Sequence, residues 1–243
     1  AGNPNSGKIT IFNNLTGARR HVGNYPGVTV EKAEGSLEFD SRILHIVDLP
    51  GTYSLTAYSI EEMAARDFIL HEKPDVVIHV IDASNLERNL YLTVQLIELG
   101  APLVLAFNMS DAAKARGVEF DLKRLSSLWG APIVPTVGHR GHGMKDLLRA
   151  AVERAENGFA HRAPEMRYGE EIDRELALIR DWLEARGAVP DGRTAAWTAL
   201  KLLEKDKHER KKIAAPELDE LLAQCEARLQ AILGDSPEIL IAE

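Results

Sequence analysis

The first ten residues constrain this chain most. Gly2-Asn3-Pro4-Asn5-Ser6-Gly7-Lys8 has the G-x-x-x-x-G-K spacing of a loop that wraps phosphate. The two glycines let the backbone curl, so that N–H groups along Asn3, Asn5 and Ser6 turn inward at phosphate oxygens. Lys8 adds a positive charge near the β- and γ-phosphates, and the helix expected from Thr10 to Leu15 offers its positive end. Such a loop normally follows a buried strand, yet only Ala1 precedes it, so the domain's first strand reads as truncated. Ile9 stands where a Ser or Thr hydroxyl ligates the Mg²⁺ that bridges the phosphates. Thr10 cannot replace it as metal ligand, because one residue along a helix turns the side chain by roughly 100°. Thr10 remains a candidate nucleotide contact.

The rest of the chain supplies the fold around that loop. Residues 19–30, rich in Gly, Asn and Pro, read as a loop, followed by a hairpin over Val28–Phe39 and Arg42–Val47. The hairpin delivers Asp48-Leu49-Pro50-Gly51, a carboxylate suited to Mg²⁺ and a glycine N–H suited to a γ-phosphate. Thr52 to Glu62 looks polar and mobile, and Glu62 to Leu70 helical. Asp75–Asp82 and Pro102–Phe107 are nearly continuous apolar runs, as in buried parallel strands, and Asn85–Leu99 between them is helical in pattern. Helical sequence to Leu128, a strand at Ile133–Thr136 and a helix from Met144 to about Ala155 complete a doubly wound, mostly parallel α/β domain. Ligands of such a sheet gather at the carboxyl ends of its strands, which brings together the phosphate loop, Asp48, Asn108 and Val137-Gly138.

Domain boundaries follow from composition: an α/β domain over 1–156, a linker over 157–167 and about four helices over 168–243. Ile172, Leu176, Ile179 and Leu183 make one apolar stripe. Leu218, Leu221, Leu222, Cys225, Leu229, Ile232 and Leu233 make another, with Cys225 a buried structural thiol. The charged run Glu204–Lys212 reads as a solvated helix end. A net charge of −8 over 243 residues argues against a general nucleic-acid binder. The single cysteine fits a reducing compartment, and no apolar run is long enough to span a membrane. His139 and His142 flank a glycine-rich loop and read as exposed loop residues, not a metal pair.

Asn108-Met109-Ser110-Asp111 selects the base. An aspartate accepts from both guanine N1–H and the exocyclic amine, and the asparagine suits the O6/N7 edge, whereas adenine would leave the carboxylate unpaired. With Thr29 between the two phosphate motifs, the order resembles that of P-loop GTPases. Met109 replaces the usual lysine, so weaker packing on the base and faster exchange are expected.

Taken as a set, four stretches resemble the cytosolic G domain of the ferrous iron transport protein B family. They are Gly2–Lys8, Val22-Gly23-Asn24-Tyr25-Pro26-Gly27-Val28-Thr29-Val30-Glu31, Asp48–Leu55 and Asn108-Met109. The tail resembles that family's small helical domain. The resemblance implies GTP/GDP as ligand, held by Gly2, Asn3, Asn5, Ser6, Gly7, Lys8, Thr10, Asp48, Gly51, Asn108, Met109, Asp111, Val137 and Gly138. It implies Asn5, Lys8, Thr29 and Gly51 in catalysis, Mg²⁺ at Thr29 and Asp48, and K⁺ near Asn5 and Asn24. Thr52 replaces the glutamine that positions water in many GTPases, so backbone groups are expected to hold the water and turnover to be slow. The partners implied are guanine nucleotide and the transporter's own membrane domain, with no nucleic acid and with homo-oligomerisation open. The location implied is the cytoplasmic face of the inner membrane. Two alternatives stay open: a nucleotide-dependent switch that scarcely hydrolyses, and a soluble GTPase of ribosome assembly or tRNA modification.

Overall fold

A computed structural model describes residues 1–17, 20–26, 28–56, 59–157 and 166–242. The chain divides into two units, 1–164 and 165–243. Most of the stretch expected to be a linker lies outside the described residues.

In the first unit, β4 (Val77–Asp82), β5 (Leu103–Asn108) and β6 (Ile133–Pro135) form a parallel sheet in that order. All six residues of β5 are buried, because helices cover both faces of the sheet. Val80 and Ile78 face a core shared with Ile11 and Leu15 of α1 (Lys8–Thr16) and with Leu147 and Leu148 of α6 (Met144–Asn157). His79 points the other way, to α3 (Leu86–Glu98), where its Nε2 meets the Thr93 hydroxyl at 3.0 Å. Burial lowers its pKa to about 3, so the ring is neutral. Gly2 forms a parallel bridge with Val80, which starts the phosphate loop beside β4.

The hairpin departs from expectation in two ways. β2 (Glu31–Phe39) and β3 (Arg42–Asp48) pair antiparallel, but Arg20–Asn24 is also a strand, β1, paired from Asn24↔Glu31 to Arg20↔Gly35. Part of the expected loop is therefore an edge strand. Its His-Val-Gly-Asn sequence has little strand character, and the ladder to β2 supplies what propensity does not. Residues 18–19 and 27 of that stretch lie outside the described residues. The antiparallel strands β1-β2-β3 make a sheet of their own, so the parallel sheet is smaller than expected.

The segment after Gly51 is also better anchored than its polarity suggests. Thr52, Ser54 and Leu55 are buried, Leu55 N–H donates to Gln95 Oε1 at 2.5 Å, and Ser54 Oγ donates to Glu62. Glu62 belongs to a capping box with Ser59 that opens α2 (Ile60–Glu72). The helical stretch after Asn108 is broken into α4 (Ser110–Ala115) and α5 (Leu122–Trp129).

The second unit has five described helices: α7 (Glu170–Ala185), α8 (Ala195–Leu203), α9 (Lys207–Arg210), α10 (Pro216–Leu233) and α11 (Pro237–Ala242). Ile172, Ile179 and Leu183 of α7 meet Leu200, Leu203, Leu218, Cys225 and Leu229 in its core. Ile232 and Leu233 are exposed, so the α10 stripe ends a turn earlier than its sequence suggests. Burial pushes the Cys225 thiol up to about 12, an inert structural thiol. The charged run is not simply solvated. Asp206 caps α9, and Glu209 is wholly buried, held by Arg193 through Nε at 2.6 Å and Nη2 at 3.1 Å.

Candidate functional site: a phosphate loop and its clamp

Gly7 is the pivot of the loop. Its φ of 85° is left-handed, and a β-carbon there would lie 2.2 Å from Asn108 Nδ2, so only glycine fits. Gly7 also caps α1, which has no side-chain cap and no acidic residue in its first turn. The first N–H groups of α1 therefore face outward without a protein carboxylate, a setting that favours an anion. Asn3 Oδ1 and Ser6 Oγ are buried polar atoms without a hydrogen-bond partner among the described residues. Asn5 adopts φ 67°, continuing the curl. These features fit a phosphate chain.

Lys8 Nζ lies 2.5 Å from Asp48 Oδ1, with both side chains largely buried. The cation expected on phosphate and the carboxylate expected on Mg²⁺ are thus brought together, and they neutralise each other. Ile9 is 61% exposed and Thr10 is exposed beside it. The site offers no hydroxyl after the lysine. Among the described residues no group of three His, Cys, Asp or Glu side chains could hold a metal. The donor set for Mg²⁺ is one protein oxygen short of the usual P-loop pattern.

Asn108 does something the sequence did not show. Its Nδ2 donates to Ser6 O at 2.9 Å, and its Oδ1 accepts from Gly138 N–H at 2.8 Å. Both ends of the amide face protein, so its geometry is that of a clamp joining the phosphate loop to the loop after β6, not of a group turned to the base edge. Asn14 Nδ2 holds Gly138 O at 2.6 Å. A β-carbon on Gly138 would come within 3.3 Å of Asn108 Oδ1 and 3.4 Å of Ile11 and Thr10, a tight fit. Val137 is buried, paired with His142 across the turn.

Met109 sits at φ 57°, with its Cε 3.9 Å from where a Gly7 β-carbon would be, so it lies beside the phosphate loop. Asp111 is half-buried, with Oδ1 accepting from Ala112 N–H at 2.9 Å and Oδ2 3.8 Å from His139 Nε2. His139 is exposed, in the turn Gly138–Arg140.

Asn24 and Thr29 are both exposed and line one open cleft of about 600 Å³ with Tyr25, Val28 and Ile60. Asn5 shares no hydrogen bond with Asn24 among the described residues. Tyr25, which sequence reasoning passed over, is buried. Its hydroxyl donates to Asp48 O at 2.8 Å and its ring meets Phe68 edge-on at 5.9 Å, so it pins the Asn24–Thr29 turn to the end of β3. Gly51 lies against Pro4, and Thr52 N–H donates to Gly2 O at 3.3 Å. That N–H is therefore already engaged within the protein.

Comparison with known proteins agrees over both units. The family model Ferrous iron transport protein B matches residues 1–151, and FeoB cytosolic helical domain matches 168–243. The Fe(2+) transporter FeoB of Salmonella typhimurium is 41% identical over 252 residues, covering 100% of this chain and 31% of that protein. A Porphyromonas gingivalis fusion of Fe(2+) transport protein A with Fe(2+) transporter FeoB is 44% identical over 208 residues, covering 85% of this chain and 25% of that protein. The chain thus spans under a third of the length of these curated relatives. Among solved structures, a GDP-bound mutant of S. thermophilus NFeoB superposes with TM-score 0.88 at 34% identity, covering 99% of this chain and 92% of that one. The apo cytosolic domain of the T. maritima FeoB iron transporter superposes with TM-score 0.82 at 32% identity, covering 97% and 96%.

Proposed function

Since the chain belongs to the ferrous iron transport protein B family, we propose that it is the guanine-nucleotide-binding, GTP-hydrolysing part of a ferrous iron transporter. It would work at the cytoplasmic face of the inner membrane, coupled to a membrane domain. No described helix is itself long and apolar enough to cross a membrane. The observation that carries the reading is the Ser6–Asn108–Gly138 connection, which joins a phosphate loop to a base-reading loop through one buried side chain. Family membership displaces the ribosome-assembly alternative.

In this reading the N–H groups at the start of α1 hold the β-phosphate, with Lys8 moving from Asp48 to the β/γ oxygens. Asp111 receives the two guanine donors, and the backbone at Val137-Gly138 borders the base. Gly51 N–H faces the γ-phosphate, and Thr29 joins it when its turn closes. Mg²⁺ would draw on Asp48 and Thr29, and K⁺ on Asn5 and Asn24, both by resemblance to the family. With Ile9 after the lysine and Thr52 buried, turnover is slow. These two residues also favour the second reading, a nucleotide-dependent switch that scarcely hydrolyses.

The test is GTP binding and turnover by this chain and by Ile9→Thr, in K⁺ and in Na⁺, with Mg²⁺ titrated. The expected outcome is binding by both, with Ile9→Thr at least about tenfold faster and more Mg²⁺-dependent, since tenfold corresponds to about 1.4 kcal/mol of barrier. Binding by both with turnover by neither establishes the switch. Absence of guanine-nucleotide binding in both overturns the reading.

A further inference from the structure

Arg88, in the first turn of α3, is joined to two parts of the nucleotide site at once. Its main-chain carbonyl accepts from Asn3 Nδ2 at 3.0 Å, and Asn3 is buried within the phosphate loop. Its side chain reaches the other way: Nη2 donates to Tyr53 Oη at 2.8 Å, and the guanidinium carbon lies 4.7 Å from the Tyr53 ring centre. Tyr53 is two residues past Gly51 and is 42% exposed, so burial does not fix it there. What fixes it is a hydrogen bond and a cation–π contact from a helix that is itself rigidly seated, with Leu92 and Leu96 fully buried. The neighbouring Thr52–Gly2 bond ties the same segment to the phosphate loop from the inside.

We infer that Arg88 is a positioning residue that holds the Gly51 segment against the phosphate loop and thereby sets how strongly the site prefers a nucleoside triphosphate over a diphosphate. The inference rests on the guanine-nucleotide reading above. Its two attachments are chemically separable. Substituting the side chain leaves the carbonyl to Asn3 in place, so the loop that would hold the α- and β-phosphates keeps its support. The segment facing a γ-phosphate keeps its Thr52, Ser54 and Leu55 anchors and loses only the outer hold on Tyr53, and the ordering which that hold provides must then be supplied by the ligand.

The experiment measures Kd by fluorescence for mant-GDP and mant-GMPPNP, an analogue that avoids turnover, on the whole chain and on Arg88→Ala, Tyr53→Phe, Tyr53→Ala and Arg88→Ala/Tyr53→Ala. Arg88→Ala should bind the diphosphate within about twofold of the parent and the triphosphate analogue roughly three- to tenfold more weakly. Tyr53→Phe, which keeps the ring and loses the hydroxyl, should fall between. Arg88→Ala/Tyr53→Ala should be no worse than the weaker single variant, the signature of one shared contact. Equal weakening of both nucleotides would show a purely structural role, and no change in either would show no coupling; each overturns the inference. A parent chain that binds neither nucleotide removes the guanine reading itself, an outcome distinct from both.

Discussion

If Asn108 is a clamp and not chiefly a base contact, removing it should damage the protein before any nucleotide is added. The side chain is 3% exposed and makes bonds of 2.9 Å to Ser6 O and 2.8 Å from Gly138 N–H. Asn108→Ala leaves a buried carbonyl and a buried N–H without partners, at about 1–3 kcal/mol each, or roughly 2–6 kcal/mol together. The space vacated by the amide can admit a water to bridge the two groups, which favours the lower part of that range, about 2–3 kcal/mol. With a urea m-value of about 2–3 kcal/mol/M for a chain of this size, the midpoint of unfolding should fall by roughly 0.7–1.5 M with little change in m. Asn108→Asp keeps an acceptor for Gly138 but sets a buried carboxylate oxygen against Ser6 O, so it should destabilise at least as much as Asn108→Ala. The assay is urea unfolding of nucleotide-free protein, followed at Trp129, which packs on Phe107 in β5. An Asn108→Ala midpoint equal to the parent's, with only nucleotide affinity reduced, would refute the clamp and restore the base-edge role.

Two other substitutions test neighbouring arguments. Gly7→Ala forces a β-carbon to within 2.2 Å of Asn108 Nδ2 at a φ of 85°, so mant-GDP affinity should fall by at least about tenfold, with α1 still folded by circular dichroism. Arg193→Ala removes two charge-assisted hydrogen bonds from the buried Glu209 and leaves it with Lys212, so it should cost about 1.5–3 kcal/mol in thermal or urea unfolding, whereas Arg193→Met/Glu209→Leu should recover most of it. Burial pushes the Glu209 carboxyl up, but hydrogen bonds from Arg193 and Lys212 outweigh it and hold it below its ordinary range. Its contribution is therefore present above the unfolded value of about 4.3 and is lost as pH falls through the lower folded value. The parent should consequently lose stability on acidification more steeply than the double variant, measured as melting temperature between about pH 3 and 7.

The parts of the fold that could be read from sequence are those whose causes are local. β4 and β5 announce themselves because a strand covered on both faces needs an unbroken apolar run, and α1 because the phosphate loop must feed a helix. The strand Arg20–Asn24 could not be read, since its pairing with β2 and not its own residues makes it extended. Glu209 sits in a run of charges that looks solvated, and its partner Arg193 comes from before α8. In the site, the motifs gave the loop, Asp48 and Asp111. The Asn108 clamp, the Tyr25 pin and the Arg88–Tyr53 contact depend on groups far apart in the chain, up to 102 positions for Asn108 and Ser6. No spacing rule reports them.

Leu55, with its side chain buried and its N–H held by Gln95, acts as a fixed post in the middle of a segment that would otherwise swing as a whole. Gly51 is then at the end of a short tether whose far end cannot travel. Four residues span at most about 14 Å when fully extended, and a curled tether moves its tip by only a fraction of that. Displacement at Gly51 thus meets two helices at the post: α3 through Gln95, and α2 through Arg66, whose Nη1 donates to Leu55 O at 3.4 Å, and through Glu62, which accepts from Ser54 Oγ. A signal leaving the phosphate side by this route would be divided between α2 and α3 at one buried residue.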